Sequence, residues 1–134
     1  MAEANLKWLG GGTFMGVDST SHSVVLSTAT DNVGVKPTEM MLVALASCTA
    51  VDVVGITAKR KQPLKTLEIQ VKGEQDENPP WPFRKIHLHY IASGDDLTEA
   101  TLEKAIELSE EKYCSVAATL RGVAEITTSF EVVE

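Results

Sequence analysis

Two thiols hold most of the chemical potential of this sequence. Cys48 and Cys114 stand 66 positions apart, and neither has a second cysteine nearby to form a CxxC redox or zinc pattern. A cysteine acts as a nucleophile through its thiolate. Cys48 lies in the middle of an apolar helical stretch, where burial raises a thiol pKa and the helix dipole has faded. From an ordinary value of about 8.5, only roughly 3% is ionised at pH 7, and reaching about 6 takes roughly 3.4 kcal/mol of selective stabilisation. Asp52, one turn on, works against that if it faces the same way. A reactive Cys48 therefore needs a cation or donor from elsewhere in the fold; otherwise it is an inert core thiol, and the residues alone leave both open. Cys114 has the better local setting, at or just before the amino end of a short helix over 115–120, where free N–H groups favour a thiolate. Its plain alternative is a small apolar residue filling the joint between two helices.

Other groups compete for a role. Glu39 can orient or polarise a reacting group, yet on an unbroken helix it lies about 13.5 Å along the axis from Cys48 and on the opposite side. The two meet only through a bend before Met40 or across a subunit boundary; otherwise Glu39 is a first-turn acid. Arg84 and Arg121 are the candidate cations for a thiolate or oxyanion. His87 and His89 share a strand face, but no carboxylate or cysteine accompanies them at ligand spacing, so solvated histidines are expected and no metal. Gly10-Gly-Gly12 lacks the pattern of a phosphate loop and is expected to turn a hairpin. Asp95 and Asp96 are expected to cap a helix.

These residues need elements to position them. The stretch Lys36–Lys61 reads as one long helix: Pro37 suits the first turn, Glu39 complements the positive end, and Lys59, Arg60 and Lys61 complement the negative one. Met41, Leu45, Cys48 and Val51 form one apolar stripe, while Leu42, Ala46, Ala50 and Val53 line much of the opposite face. A helix apolar all round belongs in a core. Its uninterrupted apolar run, Met40 to Val51, stops at Asp52, short of the roughly 20 residues of a membrane span, so no membrane role is expected.

Short strands are predicted over 5–9, 13–17 and 22–28 before this helix, and over 64–73 and 83–91 after it. Leu67, Ile69 and Val71 share one face of the first of these later strands. In the second, Ile86, Leu88 and Tyr90 oppose Lys85, His87 and His89. Asp96-Leu-Thr-Glu99 resembles a capping box opening a helix that ends near Tyr113; Ser115 is expected to cap another through Leu120, and Val123–Val133 forms the last strand. The order is βββ-α-ββ-αα-β in a single domain over 1–134, an α+β fold with antiparallel sheet against helices. The long helix needs more cover than one small sheet and two helices supply, which argues for a homodimer.

Composition narrows the partners. The net charge is −7, and residues 95–134, with ten acids against three bases, account for all of it. Such a surface repels phosphate backbones and anionic membranes, so no nucleic-acid partner is expected. The amino terminus lacks the pattern of a secretory signal, which favours the cytoplasm and argues against a structural disulfide.

At Lys36-Pro-Thr-Glu-Met-Met-Leu-Val-Ala-Leu-Ala-Ser-Cys48, Val51-Asp-Val-Val54, Leu102–Tyr113, Cys114-Ser-Val116 and Gly122 the sequence resembles the OsmC/Ohr family, the osmotically inducible and organic-hydroperoxide-resistance proteins. The resemblance covers nearly the whole chain, and the two cysteines in their different helix contexts are its most specific part. It implies an OsmC-like fold with antiparallel sheets around a long central helix, in an intertwined homodimer with sites at the subunit interface. It also implies peroxide reduction without metal, flavin or other cofactor. Cys48 then corresponds to the peroxidatic cysteine, Cys114 to the resolving cysteine and Glu39 to the glutamate that organises the thiolate.

The family pattern also has an arginine after the amino-terminal glycines, but Gly10-Gly-Gly-Thr-Phe-Met-Gly16 has none, and a Cys-Pro-Val-Ser stretch is here Cys114-Ser-Val-Ala117. This places the chain nearest the general OsmC-like subgroup. The implied function is a thiol-dependent peroxidase acting on organic hydroperoxides or hydrogen peroxide, with an external dithiol such as a lipoylated protein as reductant. The alternative is a redox sensor or small-molecule-binding dimer with weak or no turnover.

Overall fold

The computed structural model describes residues 1–134, in two compact units, Met1–Met41 and Leu42–Glu134. In the first, β1 (Ala4–Gly10), β2 (Thr13–Asp18) and β3 (Ser23–Ser27) form an antiparallel sheet in chain order. Gly10 and Gly11 adopt positive φ at the β1–β2 turn, which requires glycine there. The Asp31 carboxylate fastens this turn, accepting from the Gly12 N–H and the Thr13 hydroxyl at 2.8 Å each. The glycine triplet is thus a hairpin connection, as expected.

Helix α1 (Pro37–Lys59) starts at its proline and runs unbroken for 23 residues. Its length and composition are sufficient to cross a membrane, so the shortness of the Met40–Val51 run is no argument against a span. Its polar residues are nevertheless engaged by protein partners: Thr49 by Tyr90 and Asp52 by Ser109. Within one chain the buried stripe is Leu45, Thr49, Val53 and Thr57, so only part of the all-round apolar surface read from the sequence is covered. Val51 is 73% exposed and Met41 42%. With apolar residues on every side, hydropathy gives the helix no direction. The Thr49–Tyr90 bond and the return of the Thr57 hydroxyl to the Val53 carbonyl accompany the face that is buried.

In the second unit, β4 (Thr66–Gln75), β5 (Phe83–Ser93) and β6 (Glu125–Val132) form a sheet in that order. The first pair is antiparallel, but β5 and β6 are parallel, which corrects the expectation of purely antiparallel sheets. The reason lies in the connection. Between β5 and β6 the chain runs through α2 (Glu99–Leu108), a π-helical turn (Ser109–Tyr113) and α3 (Ser115–Leu120), long enough for the crossover that parallel strands need.

Alternation along β5 buries Ile86, Leu88, Tyr90 and Ala92 in one core with Leu45 and Val53 of α1, Leu102, Ala105 and Ile106 of α2, and Ala117 of α3. The cap of α2 is Thr98, whose hydroxyl accepts from the Thr101 N–H at 3.2 Å, rather than Asp96. Asp95 instead pairs with Lys65 at 2.8 Å. The α+β class stands as read from the sequence, with a π-helical turn between α2 and α3 that the sequence reading did not contain.

Candidate active site

Both thiols are free, and the fold brings them together. Cys114 is the N-cap of α3, the position assigned to Ser115 from the sequence, and its sulfur accepts from the Ala117 N–H at 3.4 Å. Cys48 reaches the same end of α3 from the middle of α1. Partial burial pushes the Cys48 thiol up, but the Val116 N–H, the Cys114 thiol, and the hydroxyl and N–H of Ser115 outweigh it and hold the group below the ordinary thiol range. Cys114 goes the other way. Burial and its interaction with Cys48 outweigh the N–H groups of Ala117 and Val116 and push it up to about 11.

The donor that Cys48 requires is therefore the amino end of α3. Free N–H groups at that end were expected to favour ionisation of Cys114; they are shared between the two sulfurs and favour Cys48 instead. Neither candidate arginine is needed for this. Arg84 pairs with Asp76 at 3.3 Å. Arg121 donates to the Glu110 carbonyl and lies 3.8 Å from the Glu110 carboxylate. Glu39 is exposed on the first turn of α1 and pairs with Lys36 at 3.0 Å, so the first-turn role describes it within one chain. The unbroken start of α1 at Pro37 removes a bend before Met40 as its route to Cys48.

Behind the thiols lies a polar chain that composition and periodicity do not reveal. The Tyr90 hydroxyl and Thr49 Oγ1 are 2.9 Å apart, Thr49 Oγ1 and Ser109 Oγ 2.9 Å, and Ser109 Oγ and Asp52 Oδ2 2.7 Å. The Ser109 hydroxyl is the donor towards both Thr49 Oγ1 and the Asp52 carboxylate, sharing its one proton between them, and Thr49 and Tyr90 share the remaining bond. The Asp52 carboxylate thereby accepts from Ser109 at the far end of this chain. Burial first, then the neighbouring Glu110, Cys114 and Asp52, push the ionisation of the Tyr90 hydroxyl well up.

Ser109 also opens the π-helical turn, and its carbonyl accepts from the Cys114 N–H at 2.8 Å. A π-turn inside a helix is a frequent mark of a functional site. In the same turn Glu110 has a buried Oε1 with no partner; burial pushes its carboxyl up, against the pull of Arg121.

An α+β fold that sets a thiol of lowered pKa beside one of raised pKa defines a paired-thiol protein. The chain matches the model of the OsmC-like proteins over residues 29–129 and belongs to that family. It is 39% identical to Protein YhfA of Escherichia coli K12 over 98% of both chains. Among solved structures it resembles a hypothetical protein from Aquifex aeolicus at TM-score 0.90 and 33% identity, over 99% of this chain and 96% of that one. It shares its fold with the organic hydroperoxide resistance protein OhrB of Bacillus subtilis at TM-score 0.66 and 15% identity, over 98% of each.

Proposed function

We propose that the protein is a thiol-dependent peroxidase that reduces organic hydroperoxides with two cysteines and an external dithiol. The observation carrying this reading is the opposite bias of two adjacent sulfurs: Cys48 towards thiolate, Cys114 towards thiol. The Cys48 thiolate attacks the distal peroxide oxygen, the O–O bond breaks, and Cys48 becomes a sulfenic acid. The departing alkoxide takes the Cys114 proton and leaves as the alcohol. Cys114, now a thiolate, attacks the Cys48 sulfur; the S–S bond forms and hydroxide leaves, taking a proton to become water. A dithiol of the lipoyl type then reduces the disulfide by exchange.

The working form is a homodimer in the cytoplasm. Val43, Val51 and Val54 lie 48–73% exposed on α1, an apolar surface suited to a second copy. In such a dimer Glu39 acts on a cysteine of the partner subunit rather than on its own.

Consumption of cumene hydroperoxide with dihydrolipoamide tests this reading. Cys48→Ser is expected to abolish it, and Cys114→Ser to leave a single turnover ending in a trappable sulfenic acid. Consumption that persists in Cys48→Ser would overturn it. A second reading, a redox sensor or small-molecule-binding dimer, is favoured by the engagement of Arg84 and Arg121 with Asp76 and Glu110 rather than with Cys48. It predicts disulfide formation with little dithiol-driven turnover.

A further inference from the structure

On the face of β5 and β6 that points away from the thiols, two imidazoles converge on one oxygen. His87 Nε2 lies 2.8 Å from Ser129 Oγ, and His89 Nδ1 lies 2.6 Å from the same atom. The outer nitrogens are held as well: His87 Nδ1 by the Thr127 hydroxyl at 2.7 Å and His89 Nε2 by the Glu131 carboxylate at 2.8 Å. The register explains the convergence, since His87 stands opposite Thr127 and His89 opposite Ser129 in the β5–β6 ladder.

We propose that His87 and His89 bind a borderline divalent transition-metal ion, most tightly copper(II), through His87 Nε2 and His89 Nδ1. Glu131 fixes the proton of His89 on Nε2 and leaves a lone pair on Nδ1. That carboxylate–imidazole arrangement orients and strengthens metal-ligating histidines. Thr127 accepts equally well from His87 Nδ1–H, which leaves the second lone pair on Nε2. Ser129 has one proton to offer two lone pairs; a cation satisfies both.

An ion at about 2.0–2.1 Å, the usual metal–imidazole distance, takes the place that the Ser129 hydroxyl holds between the two nitrogens. No third His, Cys, Asp or Glu closes the set, so water or an added ligand fills the remaining positions. His87 also borders an open cleft of about 410 Å³, which gives such a ligand room. Imidazole nitrogens with open positions favour copper(II) over other first-row divalent ions. The inference is independent of the peroxidase reading, because none of these residues touches either thiol.

The test is copper(II) titration of the full-length Cys48→Ser/Cys114→Ser protein, which removes competing thiols, followed by calorimetry and electron paramagnetic resonance. One ion per chain with hyperfine coupling to two imidazole nitrogens is expected. His87→Ala and His89→Ala each weaken binding at least tenfold, and Glu131→Gln weakens it about 10- to 100-fold with both nitrogens still bound. Ser129→Ala keeps the site, and His22→Ala leaves it unchanged. Affinity unaltered by either of the first two substitutions, or a spectrum without two imidazole nitrogens, overturns the proposal.

Discussion

Thr49 and Ser109 share a buried hydrogen bond of 2.9 Å, and each is fully enclosed. Thr49 follows Cys48 directly in α1, and Ser109 accepts the Cys114 N–H through its carbonyl. One bond thus joins the segments carrying the two sulfurs. Ser109→Ala takes one of the two partners of the Thr49 hydroxyl, leaving only Tyr90, and removes a donor from Asp52. It should cost about 1–3 kcal/mol in urea unfolding. It should also slow disulfide formation between Cys48 and Cys114, measured by quenched thiol trapping after a peroxide pulse.

The raised Cys114 pKa makes stability depend on alkaline pH. In the unfolded chain this thiol ionises near its ordinary value, about 8.5, whereas folding holds the proton to about 11. Its contribution is complete below the lower value and is lost as pH rises through the upper one. Thermal unfolding between roughly pH 8.5 and 11 should therefore show a falling midpoint, and Cys114→Ala should flatten that slope. An equally steep slope in the variant would count against the assignment.

Alkylation of Cys48 should reach half-maximal rate at a pH below that of a free thiol. Cys114→Ala deletes one of the donors that favour the Cys48 thiolate, so the midpoint should move up. Iodoacetamide rates across pH, with mass spectrometry to assign the labelled cysteine, measure both.

Val51 is the most exposed valine on α1, and a lysine there leaves the core of one chain untouched. If the bare face of α1 meets a second copy, Val51→Lys should shift the protein from dimer to monomer in sedimentation equilibrium. A mass unchanged from the parent would place the subunit boundary elsewhere.

Glu110 has a buried oxygen without a donor, and its carboxyl is raised mainly by burial. For a raised acid the stabilising contribution is present below the unfolded pKa and lost as pH rises through the folded one. Glu110→Gln mimics the protonated form, so near neutral pH it should be at least as stable as the parent. Thermal melts at pH 5 and pH 8 should show a smaller difference in the variant.

Much of the architecture was legible because its signals are local. Period-two alternation marked β4 and β5, and terminal charge with Pro37 marked α1. The orientation of α1 was not legible, since Val51 and Val53 are equally apolar; a threonine hydroxyl and a tyrosine across the core distinguish their sides. The Asp96 cap failed because Thr98 offers an equivalent oxygen two residues later. The thiol pair was visible as two cysteines in helical contexts, but the source of the Cys48 donors was not. Val116 acts through its backbone N–H and Ser115 through both its hydroxyl and its N–H, and their aim depends on where the crossover sets α3. Likewise, Ser129 and Glu131 join the two histidines only through the β5–β6 register.

Because the strand after the second sulfur lies beside β5, synthesis imposes a timetable. A chain emerging from the ribosome displays Cys48 long before Glu125–Val132 can pair with β5 and close the crossover that carries α3. Until those last residues appear, the early sulfur has no amide groups to coax off its proton. The pairing of the two thiols is thus completed only when translation is nearly finished.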